Sequence, residues 1–127
     1  MKIEHIALYV RDLEGARAFF AAYFGGDAGP CYHNPRTGFS SYFISFVDGA
    51  RLELMHLPSL EDGPGRDVGM GYAHLAFSTG SRERVDALTE RLRRDGYPVV
   101  SGPRVTGDGY YESCVEGFEG NLIEITV

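Results

Sequence analysis

The sequence has no tryptophan, only two cysteines and no long apolar run, and the last two shortages already narrow its function. Cys31 and Cys114 fall in no metal-binding or disulfide spacing. They read as idle or buried thiols, as expected of a chain kept in a reducing cytoplasm. No stretch approaches the roughly 20 consecutive apolar residues that a membrane-crossing helix needs, so no membrane partner is expected. The opening residues Met1 to Val10 carry His5 and lack the basic segment of a secretory signal, which again points to the cytoplasm. Basic residues are short as well, with 12 Lys and Arg against 18 Asp and Glu, a net charge of −6. That balance excludes a nucleic-acid surface, which requires clustered cations. The one basic cluster, Arg91, Arg93 and Arg94, falls at an expected helix end, where it complements the helix dipole.

What remains is ordinary in bulk: 127 residues and 43% hydrophobic content suffice for one domain, residues 1–127, with a substantial core. The informative feature is an internal repeat. Residues 5–12 and 74–81 both open with His, an apolar residue, Ala and an apolar residue, and the two histidines are offset by 69 positions. Leu52-Glu53-Leu54 and Ile123-Glu124-Ile125 form a second pair, with the glutamates offset by 71. Two nearly equal offsets, each anchored on a potential metal ligand, divide the chain into module 1 (about 1–57) and module 2 (about 72–127). The Gly- and Pro-rich stretch at about 58–71 reads as the linker between them.

Each module reads as β-α-β-β-β, an α+β organisation. Residues 2–10 alternate like a strand. Asp12 then caps a helix to about Phe24, Gly25 stops it, and Leu13, Ala16, Phe19, Phe20 and Phe24 form its apolar stripe. Strands are expected near 27–33, 39–47 and 50–56, with Asp48-Gly49 as a tight hairpin turn. In module 2 a strand covers about 72–79, and Ser81 caps a helix whose inner stripe is Val85, Leu88 and Leu92, ending at Asp95-Gly96. Strands follow near 98–102, 109–116 and 121–127, with Glu119-Gly120 at the last turn.

Side chains alternate across a strand, so Ile6, Leu8 and Val10 share one face while His5, Ala7 and Tyr9 share the other. If the apolar face packs on the helices, His5 points away from them. By the same phase His74 lies opposite Leu75, Glu53 opposite Leu52 and Leu54, and Glu124 opposite Ile123 and Ile125. A single histidine on a strand is usually structural, and a single glutamate usually faces water. Four such groups at matched positions of a repeat are another matter, because carboxylates flanked by core residues are costly unless neutralised. Two imidazoles and two carboxylates around one divalent cation remove that cost for all four. His33 and His56 break the repeat and read as ordinary surface or core histidines.

His5-Ile6-Ala7-Leu8, Leu52-Glu53-Leu54, Tyr72-Ala73-His74-Leu75-Ala76-Phe77 and Glu119-Gly120-Asn121-Leu122-Ile123-Glu124 together resemble the vicinal oxygen chelate superfamily. That superfamily includes glyoxalase I, extradiol dioxygenases and bleomycin-binding proteins. The resemblance runs along the whole chain and is nearest to the small bacterial glyoxalase I-like proteins. It departs from the usual pattern at Gly117-Phe118-Glu119, where Asp-Pro commonly precedes the glycine. It implies two β-α-β-β-β modules forming a curved half-barrel sheet with the helices outside. It also implies a metal held by His5, Glu53, His74 and Glu124. Zn or Ni comes first among the candidates, with Co, Mn and Fe compatible with the same donors. A homodimer is implied too, with each site either shared between chains or closed within one.

Extradiol dioxygenases use two His and one Glu, so the second carboxylate favours the lyase, isomerase and epimerase branch. The implied reaction is removal of a proton beside a carbonyl of a small 2-oxo compound or its thiol adduct, through an enediolate the metal stabilises. Glu124 or Glu53 would be the base, with Glu124 preferred. Tyr9, Tyr110, Tyr111 and Arg104 are the candidate substrate contacts. Tyr9 stands where bacterial glyoxalase I has a glutathione-contacting arginine, and Leu57-Pro58 stands near its asparagine. Two other readings stay open: an Fe(II) dioxygenase on His5, His74 and Glu124, and a drug- or metabolite-binding protein without turnover.

Overall fold

The structure, a computed structural model, describes residues 3–60, 71–107 and 109–127. The chain divides into two compact units, Met1–Arg66 and Asp67–Val127. Most of the expected linker, residues 61–70, lies outside the described residues, as do Met1, Lys2 and Asp108.

In the first unit β1 (His5–Tyr9) is followed by α1 (Leu13–Phe24) and then β2 (Asp27–Ala28), β3 (Tyr32–His33), β4 (Ser40–Ser45) and β5 (Arg51–His56). Asp12 caps α1 through a 2.8 Å bond accepted from the Gly15 amide, and Gly25 closes it in the left-handed conformation with φ 66°. The sheet runs β1-β5-β4-β2, with β3 also on β4. β1 and β5 are parallel and the other pairs antiparallel. Val10, Ala16, Phe19, Phe20, Ile44, Leu52 and Leu54 are buried between helix and sheet. Burial of each of the larger of these is worth about 1.5–3 kcal/mol, which ties α1 down firmly.

The second unit repeats this plan with β6 (Leu75–Ser78), α2 (Arg82–Arg94), β7 (Val99–Val105), β8 (Tyr111–Glu116), a 3₁₀ turn at Phe118–Gly120, and β9 (Leu122–Thr126). Its sheet order is β6-β9-β8-β7, again with the first and last strands parallel. Ser81 caps α2, and Arg91, Arg93 and Arg94 occupy its last turn, as the charge pattern predicts. Among the described residues no helix is long and apolar enough to cross a membrane.

Five details differ from the sequence expectation. The strand expected over 27–33 is split into β2 and β3, because Pro30 between them has no N–H to give the ladder. The Asp48-Gly49 connection is not a two-residue hairpin. The ladder pairs Ile44 with Leu52 and Ser40 with His56, which centres the loop on Asp48, and Gly49 takes φ 89°. β6 begins at Leu75, so His74 directly precedes the strand. β7 continues through Gly102 and Pro103 to Val105, because irregular register between Ser101 and Arg104 accommodates the proline. In α2 the buried stripe is Val85, Thr89 and Leu92, with Leu88 half-buried. Thr89 is tolerated inside because its hydroxyl bonds both the Val85 carbonyl and Ser113 Oγ, each at 2.6 Å.

A candidate metal centre in two half-sites

Parallel pairing of the first and last strand puts one imidazole beside one carboxylate in each unit. In the first, Glu53 pairs in register with Ala7, two residues beyond His5. In the second, Glu124 pairs with Ala76, two residues beyond His74. The 69 and 71 offsets seen in the sequence are therefore the same ladder register built twice. Alternation does the rest. Leu52 and Leu54 are buried while Glu53 is not, and Ile123 and Ile125 are buried around Glu124.

His5 Nε2 lies 3.9 Å from Glu53 Oε2, with the imidazole side chain 41% and the carboxylate 16% exposed. His74 Nε2 lies 3.0 Å from Glu124 Oε2, at 38% and 23%. In both pairs Nε2 is the nitrogen turned toward the carboxylate, and both groups stay reachable from solvent. This donor set, imidazole nitrogen with carboxylate oxygen, suits first-row divalent metals. Among the described residues no group of three or more His, Cys, Asp or Glu side chains forms a ready cluster.

Around His5 there is further order. Glu4 Oε2 lies 2.5 Å from His5 Nδ1, and Glu4 Oε1 accepts from Arg51 Nε at 2.9 Å and from Arg51 Nη2. Hydrogen bonds from His5 and then Arg51 hold the Glu4 carboxyl below its ordinary range. The Arg51 guanidinium stands 4.1 Å from the Phe43 ring centroid, and that ring meets His5 in a T-shaped contact at 5.3 Å between centroids. Glu4 and Arg51 escaped the sequence reading. A carboxylate next to a candidate ligand histidine and an arginine two residues before the candidate glutamate are the signals that could have found them.

The second unit opens a cleft of about 380 Å³ whose lining includes His74, Tyr110, Glu112 and Glu124. Tyr110 is thus brought to the pair. Arg104 on β7 is in register with Glu112 and lies 3.9 Å from its carboxylate, so it reaches the cleft through that residue. Cys114, in register with Glu124, has its thiol pushed up by burial and by the Glu124 and Glu112 carboxylates. Tyr9 shares the His5 side of β1 and is 48% exposed.

Tyr111 is not brought to the cleft. Its phase on β8 matches buried Ser113 and Val115, so its ring lies on the α2 side, bonded to Asp86 at 2.6 Å and covered by Arg82 at 4.8 Å. The sequence expects a substrate contact there, and strand alternation accounts for the placement on the helix side. His56 Nδ1 bonds the Val10 carbonyl at 3.0 Å and His33 bonds Ser40 Oγ at 2.8 Å, both away from the pairs.

Comparison with known proteins agrees with this fold. The family model described as Glyoxalase/Bleomycin resistance protein/Dioxygenase superfamily matches residues 2–125. The uncharacterized protein YqjT of Bacillus subtilis (strain 168) is 32% identical over 130 residues, covering 97% of this chain and 96% of that one. The lactoylglutathione lyase of Salmonella typhimurium is 28% identical over 130 residues, covering 98% and 91%. A solved structure of a possible glyoxalase from Bacillus cereus is 28% identical with TM-score 0.71, covering 100% of this chain and 99% of its own.

Proposed function

The chain belongs to the glyoxalase/bleomycin resistance protein/dioxygenase superfamily, and from that premise we propose that it is a metal-dependent lyase or isomerase of the glyoxalase type. Its substrate is a small 2-oxo compound or the adduct of one with a thiol. The carrying observation is the pair of His–Glu contacts in identical ladder register, His5 with Glu53 and His74 with Glu124. In this reading the four side chains are the ligands of one divalent ion, Zn or Ni first, in a cytoplasmic homodimer. Four protein donors of this kind argue for the branch with two carboxylates over a three-ligand dioxygenase. The similarity to a lactoylglutathione lyase supports the same class.

When bound, the metal supplies Lewis-acid polarisation of neighbouring substrate oxygens. The protein does the proton chemistry. Glu124, part-buried beside the cleft, leaves its ligand position to remove the proton next to the carbonyl and returns it to the adjacent carbon. His74 stands 3.0 Å from that carboxylate as the neighbouring donor. Tyr110 offers a phenol to a substrate oxygen from the cleft wall, and Arg104 steadies Glu112 at the rim. Tyr9 lies on the His5 side as a further contact.

The test is turnover. Protein loaded with Ni or Zn is given 2-oxo aldehydes with glutathione and with other small thiols, and thioester formation is followed. Formation with at least one thiol, reduced about 10²–10⁴-fold in Glu124→Gln, is the expected result. No turnover with any pair, or oxygen uptake with catechols under ferrous conditions, overturns the reading.

A further inference from the structure

The two half-sites share a register but not their surroundings. Around His5 four side chains close a ring: Glu4 bonds His5 Nδ1, His5 meets Phe43 in a T-shaped contact, Arg51 covers Phe43, and Arg51 returns to Glu4. The backbone reinforces it, since the Arg51 amide donates to the Glu4 carbonyl at 2.9 Å. Carried across by the repeat offsets, the positions of Glu4, Phe43 and Arg51 correspond to Ala73, Cys114 and Leu122. None of these three can offer a carboxylate to His74 or a cation to support one.

From this asymmetry we propose that Glu4, clamped by Arg51, is a positioning residue that locks His5 with its proton on Nδ1 and its Nε2 lone pair directed at the metal position. The physical basis is tautomer selection: an acceptor on one ring nitrogen leaves the other unprotonated and raises its donor strength. In the second half-site Ala73 and Leu122 stand at the positions of Glu4 and Arg51, so they give His74 no such clamp. The role toward a metal rests on the function proposed above, whereas the tautomer of His5 belongs to the metal-free protein.

The experiment therefore has two readouts. Long-range proton–nitrogen NMR of the metal-free protein reports the tautomer of each histidine in the wild type, Glu4→Ala, Glu4→Gln and Arg51→Met. The wild type is expected to show His5 as the Nδ1–H form. Glu4→Ala shifts it toward Nε2–H, Glu4→Gln, which keeps an acceptor oxygen, largely restores it, and Arg51→Met falls between. His74 is the internal control and stays unchanged in all four, which also verifies folding. Zn(II) affinity by chelator competition should fall about 10–100-fold in Glu4→Ala. An identical His5 tautomer in wild type and Glu4→Ala overturns the inference. So does a shifted tautomer with unchanged Zn affinity. A wild type that binds no metal removes the function proposed above, and the tautomer comparison still decides whether Glu4 positions His5.

Discussion

His74 Nε2 lies 3.0 Å from Glu124 Oε2, held across two parallel strands. The contact depends on both strands of the ladder, since the imidazole directly precedes β6 and the carboxylate lies inside β9. His74→Ala is expected to release bound metal and to lower turnover by at least about 10²-fold, because it removes one of the ligands of the ion. Inductively coupled plasma analysis beside steady-state rates checks this. Tightly bound metal retained with full activity would contradict it.

Thr89 and Ser113 give an asymmetric stability prediction. Both are fully buried and share a 2.6 Å bond, while the Thr89 hydroxyl also donates to the Val85 carbonyl. With that donor committed, Ser113 is the donor between the two hydroxyls. Thr89→Val strands the Ser113 O–H and should cost about 1–3 kcal/mol. Ser113→Ala leaves the Thr89 donor satisfied and should cost less. The double variant should be milder than the sum of the singles. Urea unfolding of the four proteins measures the cycle, and equal single costs would refute the assigned direction.

Tyr42 sets an alkaline limit. Its hydroxyl donates to Glu14 Oε1 at 2.6 Å, and that bond first, then burial, pushes the phenol up to about 12 from 10.0. A group whose folded pKa lies above its unfolded one stabilises fully below the unfolded value and loses that contribution as pH rises through the folded value. The relevant window is therefore between 10.0 and about 12. Tyr42→Phe should be less stable than wild type at neutral pH, with the gap narrowing across that window. Denaturant midpoints at a series of pH values test it, and a constant gap would contradict the assignment.

Much of the site could be read in advance, and the reasons are local. The His5 and His74 repeats, the alternation around Glu53 and Glu124, and the caps Asp12, Gly25 and Ser81 all act within a few residues. What escaped the sequence required phase or pairing. Tyr111 belongs to the helix side only once β8 is known to share its phase with Ser113 and Val115. Glu4 reaches its neighbour His5 because it precedes the strand, where strict alternation no longer separates adjacent side chains. Thr89 looks polar on a helical wheel and is buried only because Ser113 faces it from another element. Pro30 was a visible break in the strand expected over 27–33, and its missing donor accounts for the split.

Gly102 is a backbone requirement near the cleft rim. It has φ +80°, and a Cβ there would stand 2.5 Å from the Glu112 carbonyl oxygen, which the ladder holds in place. Gly102→Ala should destabilise by more than about 1 kcal/mol and disturb the Arg104–Glu112 pairing. Thermal unfolding reads the first effect. A variant as stable as wild type would show that the irregular stretch of β7 can relax.

The central claim is that His5, Glu53, His74 and Glu124 hold one divalent ion. It is tested most directly by elemental analysis of protein purified without chelators or a metal-affinity tag, beside Glu53→Gln and Glu124→Gln. The account predicts about one Zn, Ni, Co or Mn per site in the wild type and loss of that metal in both variants. Iron that survives Glu53→Gln, or no metal at all in a folded protein that binds small molecules, would contradict it.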